Sequence, residues 1–330
     1  MKGSDVKDRL FFLLKVLVSV GLLIYLIHRI GGGTHLLDLL QNAHGLYVGM
    51  ALVFYLAAVS LSSGKWAVLL RAQGIVVPFH RLVAYTFMGA FFNNFLPANV
   101  GGDVMRGYGL ARHTDHTTDA AVSVIMDRLV GLLAFLTAAV VAGTVIVAGR
   151  RGPVGMDEQA LANVRALTIL AWGGEIVLGV GLALLLSRRT KRWVGAYLQY
   201  IPFLKRGVPL LQRVAQAVNA YRHAYVSILV GMMISWTVLL LTAVENWLLV
   251  QSLAPGQVPF IYLVLFNPLI AFALLIPLSV GGLGIGQSAY VFFFGLIGVP
   301  PALSLAISLL HQAIVYLASV PGALLWLQQR

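Results

Sequence analysis

The chain has 330 residues, of which 59% are hydrophobic and 10% charged, with no cysteine and a formal net charge of +12. Soluble domains carry about 25% charged residues. The composition therefore excludes a soluble enzyme, a disordered chain and a soluble nucleic-acid binder, and leaves an all-α polytopic membrane protein forming one integral domain over 1–330. The absence of cysteine excludes disulfides, thiolate metal sites and cysteine nucleophiles. The basic excess suits cytoplasmic loops beside anionic lipid.

In chain order, the apolar run from Phe11 to Ile27 follows Lys2, Lys7 and Arg9 and reads as a retained first helix rather than a cleaved signal. About six full crossings are expected, at 10–29, 46–64, 120–148, 166–186, 225–250 and 302–327. Two further apolar segments are broken by proline and glycine. One runs from Leu82 through Pro97, Gly101 and Gly102 to Leu110, the other from Phe260 through Pro277, Gly281 and Gly282 to Gly298. Proline removes a donor and a glycine pair weakens a helix, so both read as re-entrant broken-helix hairpins.

The two breaks share the pattern Pro-x-x-Val-Gly-Gly at an offset of 180 residues, and the same offset lays helix 46–64 on 226–244. Two repeats are expected, about 10–148 and 166–327, each with three crossings and one hairpin. The linker 187–224 holds eight Lys and Arg and no acid, so it is assigned to the cytoplasm, as are both termini. An even number of crossings between the N-terminus and the linker makes the first hairpin re-entrant and the 3+3 repeats inverted, in the cell (cytoplasmic or inner) membrane. Loops 65–81 and 103–119 then lie inside and 251–259 outside. Within the linker, Leu211, Val214, Ala215, Val218 and Tyr221 recur at helical spacing beside Arg213 and Arg222, which fits a surface amphipathic helix or a solvated connector.

The residues able to carry chemistry gather at the breaks. In the stretch from Asn93 and Asn94 through Asn99, Gly101, Gly102 and Asp103 to Arg106, a half-helix starting near Asp103 offers free N–H groups to an anion, and Gly101-Gly102 permits positive φ. Arg106 adds a forked donor suited to phosphate, whereas Asp103 suits either the site or a helix cap. Asp127 and Arg128 precede twenty uncharged, mainly apolar residues. Neighbours on a helix point about 100° apart, so each needs a partner elsewhere. The expected pairs are Asp127 with Arg106 and Arg128 with Asp103, either structural or part of a path.

Glu245 lines an outer exit or sits in the interface near Trp247. Gln287 and His311 give the second repeat a polar interior, with His311 a proton carrier or a hydrogen-bonded structural residue. His113, Asp115, His116 and Asp119 share a threonine-rich loop and read as a polar helix start rather than a metal site. No cofactor motif, catalytic triad or nucleotide loop is visible.

The run Leu96-Pro97 to Gly101-Gly102-Asp103 and Arg106, then Asp127-Arg128-Leu129, then Pro277 with Gly281-Gly282-Leu283-Gly284, resembles the lysylphosphatidylglycerol synthase transmembrane region, a flippase-like family of integral membrane proteins. The resemblance covers nearly the whole chain. It implies movement of phospholipid between leaflets. Its motif residues, with the polar residues read above, make Asn94, Asn99, Gly101, Gly102, Asp103, Arg106, Asp127, Arg128, Glu245, Gly281, Gly282, Gln287 and His311 the candidate substrate-contacting residues. The soluble aminoacyl-transferase domain of the synthases is expected to be absent, since the last apolar segment ends near Arg330. The chain departs from the family at Gly286 and Gln287, where a basic residue and Glu are frequent. The expected activity is a lipid flippase or scramblase handling an anionic or aminoacylated phospholipid or a lipid-linked saccharide. The alternatives are a membrane enzyme acting on such a lipid, or a partner of a separate lipid-modifying enzyme.

Overall fold

The computed structural model describes residues 2–29, 33–95, 100–112, 114, 117–149, 158–187, 217–276 and 278–328, with side chains described for all of these except 2–14, 33, 35, 100 and 185. The described part is built from α-helices: α1 (Lys2–Arg29), α2 (Gly33–Gln41), α3 (Gly45–Ala72), α4 (Phe79–Asn93), α5 (Val100–Ala111), α6 (Thr117–Ala148), α7 (Glu158–Leu186), α8 (Tyr225–Leu253), α9 (Phe260–Ala273), α10 (Ile285–Gly295) and α11 (Pro301–Gln328). Among the described residues, five helical spans are long and apolar enough to cross a membrane: Gly45–Ala72, Thr117–Ala148, Glu158–Leu184, Tyr225–Leu253 and Pro301–Gln328. The expected first crossing, 10–29, is helical throughout within α1. A helix satisfies every backbone donor and acceptor within itself, which hydrocarbon demands.

Each broken segment forms two short helices, α4 with α5 and α9 with α10. At 1.5 Å per residue these reach only about 16–22 Å each, short of the roughly 30 Å hydrocarbon core. Pro78 and Pro259 stand at the N-caps of α4 and α9. Proline fits there because the first N–H groups of a helix lack intrahelical partners anyway.

α3 lies along α8, the most extensive helix pair. α4 packs on α11, and α9 packs on α6. The largest apolar cluster joins α6, α8, α9, α10 and α11 through residues such as Leu249, Tyr262, Phe266 and Phe294. On α7, by contrast, Ile169, Leu170, Ile176 and Val177 are 60–70% exposed. A contiguous apolar surface of this kind is stable against lipid and not against water.

The structure alters three boundaries. The helix expected at 46–64 continues to Ala72, which places Lys65 inside α3 rather than in a loop. A lysine normally ends an apolar span, but this one is neutralised by a carboxylate on α6. The second short helix of the first hairpin starts at Val100, so Gly101 and Gly102 are helical and do not take positive φ. Gly102 is needed for another reason: a β-carbon there would collide with the Gly89 carbonyl oxygen and the Asn93 amide. In the linker, Leu211, Val214 and Ala215 lie outside the described residues. Val218 and Tyr221 are buried against Leu69, Val122, Met126 and Val130 rather than laid on a surface. Burial, with Asp127 and Asp119 nearby, pushes the Tyr221 phenol well above its ordinary range.

Candidate translocation site

Both ion pairs anticipated from the sequence are formed. Arg106 Nη2 donates to Asp127 Oδ2 at 3.0 Å. Arg128 Nε donates to Asp103 Oδ2, and Asp103 Oδ1 lies 3.7 Å from Arg106 Nη1. Asp103 is therefore engaged by arginines instead of capping α5.

The sequence reading missed Lys65 as a member of this cluster. Its ammonium lies 3.2 Å from Asp127 Oδ1 and donates to the Asp127 backbone oxygen at 3.0 Å. Only the tertiary packing of α3 on α6 reveals this. The one sequence signal was that Lys65 and Glu245 stand 180 residues apart, the offset of the two Pro-x-x-Val-Gly-Gly breaks. Three cations, Lys65, Arg106 and Arg128, thus face two carboxylates, Asp103 and Asp127. Counted over these five side chains, the formal charge is +1.

Trp66 orders this cluster. It is fully buried, its indole N–H donates to Ser123 Oγ at 3.1 Å, and the Arg106 guanidinium lies 4.3 Å from its ring centroid. Cation–π contact of this kind holds an arginine plane in one orientation. The Arg106 Nε is buried and has no hydrogen-bond partner among the described residues.

The cluster lines a cavity of about 360 Å³ between α3, α4, α5, α6, α8 and α9, together with Tyr55, Asn93 and Thr242. A second cavity of about 270 Å³ shares Tyr55, Ala90, Asn93, Arg128 and Leu274 with it and is otherwise lined by Asn94 and by residues of the second half, including Gly281, Gln287, Tyr290 and His311. Asn93, which opens the polar stretch singled out in the sequence, accepts the Gly102 N–H at 2.7 Å. It thereby occupies a donor that the expected helix-terminal anion site would have offered.

The other predicted residues disperse along the second cavity. Asn94 borders it and donates to Ser319 Oγ at 2.8 Å. Gln287 Oε1 accepts the Gly284 N–H at 2.7 Å, so it caps α10. Gly281 and Gly282 take φ of 58° and 76° in the turn before α10. Glu245 is 0% exposed and lies with its two carboxylate oxygens 3.0 and 3.2 Å from His311 Nδ1. Complete burial takes it out of any lipid–water interface. Asn99 and Pro97 lie outside the described residues, as do His113, Asp115 and His116, while Asp119 sits in the first turn of α6.

A bundle with lipid-compatible walls agrees with a membrane family whose match covers almost the whole chain. The family model of the lysylphosphatidylglycerol synthase transmembrane region matches residues 12–322. The chain belongs to this family. It is a multi-pass membrane protein. Among proteins similar to this chain, a UPF0104 membrane protein of Methanothermobacter thermautotrophicus is 26% identical over 321 residues, covering 91% of this chain and 90% of the relative. The UPF0104 membrane protein MJ1595 of Methanocaldococcus jannaschii is 21% identical, covering 96% and 93%. Glycosyltransferase AglD of Haloferax volcanii is 26% identical over 315 residues, covering 88% of this chain but only 50% of AglD. No solved structure gives a significant match.

Proposed function

We propose that this protein carries lipids with anionic headgroups between the leaflets of the cytoplasmic membrane. The observation that carries this reading is the gathering of three basic side chains, Lys65, Arg106 and Arg128, with two carboxylates, Asp103 and Asp127, on the wall of a cavity of about 360 Å³. A formal excess of cations over carboxylates in a membrane interior favours binding of an anion beside them. A phosphate oxygen is a suitable partner for the buried Arg106 Nε. Acyl chains remain in the bilayer while the headgroup passes through the two adjoining cavities. Anionic phospholipids, aminoacylated phospholipids and lipid-linked saccharides all share that phosphate.

The reading includes an inverted 3+3 repeat with two re-entrant hairpins and a cytoplasmic 187–224 linker. It is supported by the reciprocal packing of α4 on α11 and α9 on α6, and by the alignment of α3 with α8. Exchanging the halves maps each contact onto the other, as a two-fold axis in the membrane plane requires.

A second reading is favoured by the relative named a glycosyltransferase. In it, the chain is the membrane part of, or the partner to, an enzyme acting on a lipid-linked saccharide.

The test is reconstitution into vesicles of phosphatidylcholine and phosphatidylglycerol carrying tail-labelled fluorescent phosphatidylglycerol. The protein is expected to expose inner-leaflet label to dithionite without nucleotide. Rates equal to protein-free vesicles for phosphatidylglycerol and for other anionic lipids overturn the transport reading. Donor-dependent product formation by the purified chain supports the second.

A further inference from the structure

The Glu245–His311 pair has no part in the anion cavity's own ion pairs. Glu245 is fully buried, whereas the His311 side chain is 22% exposed and lines the second cavity. Glu245 Oε2 accepts from Asn246 Nδ2 at 2.9 Å, and Asn246 Oδ1 accepts from the Tyr290 hydroxyl at 2.7 Å. These partners are neutral. The charge of the site therefore depends on one proton: with it the pair is neutral overall, and without it a single negative charge remains in the membrane interior. We propose that Glu245 and His311 form a proton-binding site linked to the anion cavity, so that an anionic headgroup and one proton bind together. This rests on the transport reading and adds the coupling ion to it.

The linkage follows from charge balance. Arg128 and Tyr55 line both cavities. With the anion cavity empty, the cation cluster's surplus charge favours the deprotonated pair. When a headgroup neutralises that surplus, the lone negative charge on Glu245 loses its compensation and the pair takes up a proton. In a low-dielectric interior such Coulomb coupling is strong, and it is reciprocal: the proton improves anion binding as much as the anion improves proton binding.

The titratable and charged groups facing the pair are Tyr55 of α3, edge-on to the imidazole at 6.0 Å, Tyr290 of α10 at 5.8 Å, and Arg128 of α6 across the shared wall. α4 lines the same space with Ala90 and Asn93, and Leu274 closes α9 there; none of these titrates. The two tyrosines hold the ring between them. His311, open to the cavity, is the port through which the proton arrives at the enclosed carboxylate.

The test uses the whole protein in neutral detergent, weakly buffered with a pH indicator, near neutral pH. Phosphatidylglycerol is the probe, phosphatidylcholine the control, and native mass spectrometry counts bound lipid. Wild type is expected to take up about one proton per phosphatidylglycerol bound and none with phosphatidylcholine. Its affinity for phosphatidylglycerol should fall by up to about tenfold per pH unit once the pair loses its proton. Glu245→Gln and His311→Gln are each expected to bind the probe with no proton uptake and a flat pH dependence. Phosphatidylglycerol binding by wild type without proton uptake overturns the proton site and leaves transport standing. Proton uptake that persists in both variants overturns the assignment to this pair. Failure of wild type to bind phosphatidylglycerol overturns both the proton site and the anion cavity.

Discussion

Gly281 faces Asn94 so closely that a β-carbon on it would stand 2.5 Å from the Asn94 carbonyl oxygen. The turns of the two broken segments therefore touch, although 187 residues separate them in sequence. This contact joins the walls of the two cavities. Gly281 also takes φ of 58°, so both its conformation and its neighbour exclude a side chain. Gly281→Ala is expected to cost about 1–3 kcal/mol and to slow lipid exchange. Gly49→Ala, on an open face of α3, is the control and should be neutral or slightly stabilising. Thermal unfolding of both variants in detergent checks this, and equal melting temperatures would remove the turn contact from the energetics.

Asp127 holds two cations, Lys65 and Arg106. Asp127→Asn should therefore destabilise more than either cation's removal alone, by about 3–5 kcal/mol, because it leaves Lys65 without a carboxylate and Arg106 with only its 3.7 Å contact to Asp103. Lys65→Met strands none that Arg106 does not already neutralise, yet it lowers the cavity's net charge from +1 to zero. It should fold and exchange phosphatidylglycerol at least about tenfold more slowly, the loss expected for one charge-assisted contact. Melting curves and vesicle assays on the two variants separate these effects.

Arg106→Lys retains charge but loses the fork and much of the stacking on Trp66. The expected result is a modest loss of stability, about 1 kcal/mol, with a larger loss of exchange. Unchanged exchange by a well-folded Arg106→Lys protein would show that a point charge is enough.

α11 meets α4 at Gly322, where any β-carbon would overlap the Phe87 backbone carbonyl. Close backbone approach between membrane helices requires such a small residue. Gly322→Val should abolish the monodisperse peak in size-exclusion chromatography, while Gly107→Val on the open face of α5 should keep it.

The absence of native cysteine makes single-cysteine labelling clean. Arg112→Cys, after α5, should react only from the cytoplasm, and Gln257→Cys, between α8 and α9, only from outside. Labelling of both from one side would remove the inverted orientation of the two halves.

The helical membrane class, the places where the helices break, and the pairing of Asp127 with Arg106 and of Arg128 with Asp103 were legible in the residues alone. Each depends on a local rule: apolar length sets a crossing, proline and glycine interrupt it, and adjacent opposite charges on one helix must look outward for partners. What the tertiary structure decided depends on which helices touch. Lys65 reads as the end of a crossing until α3 packs on α6 and Asp127 neutralises it. Glu245 reads as a residue near a helix end until α11 brings His311 to it. The same Gly-Gly pair is helical and tightly packed at 101–102 but left-handed at 281–282, because Gly102 must clear the Gly89 carbonyl while Gly281 must turn beneath Asn94. Sequence carries a residue's charge and size. The cost of burying them is set by neighbours far along the chain, and only the fold supplies those.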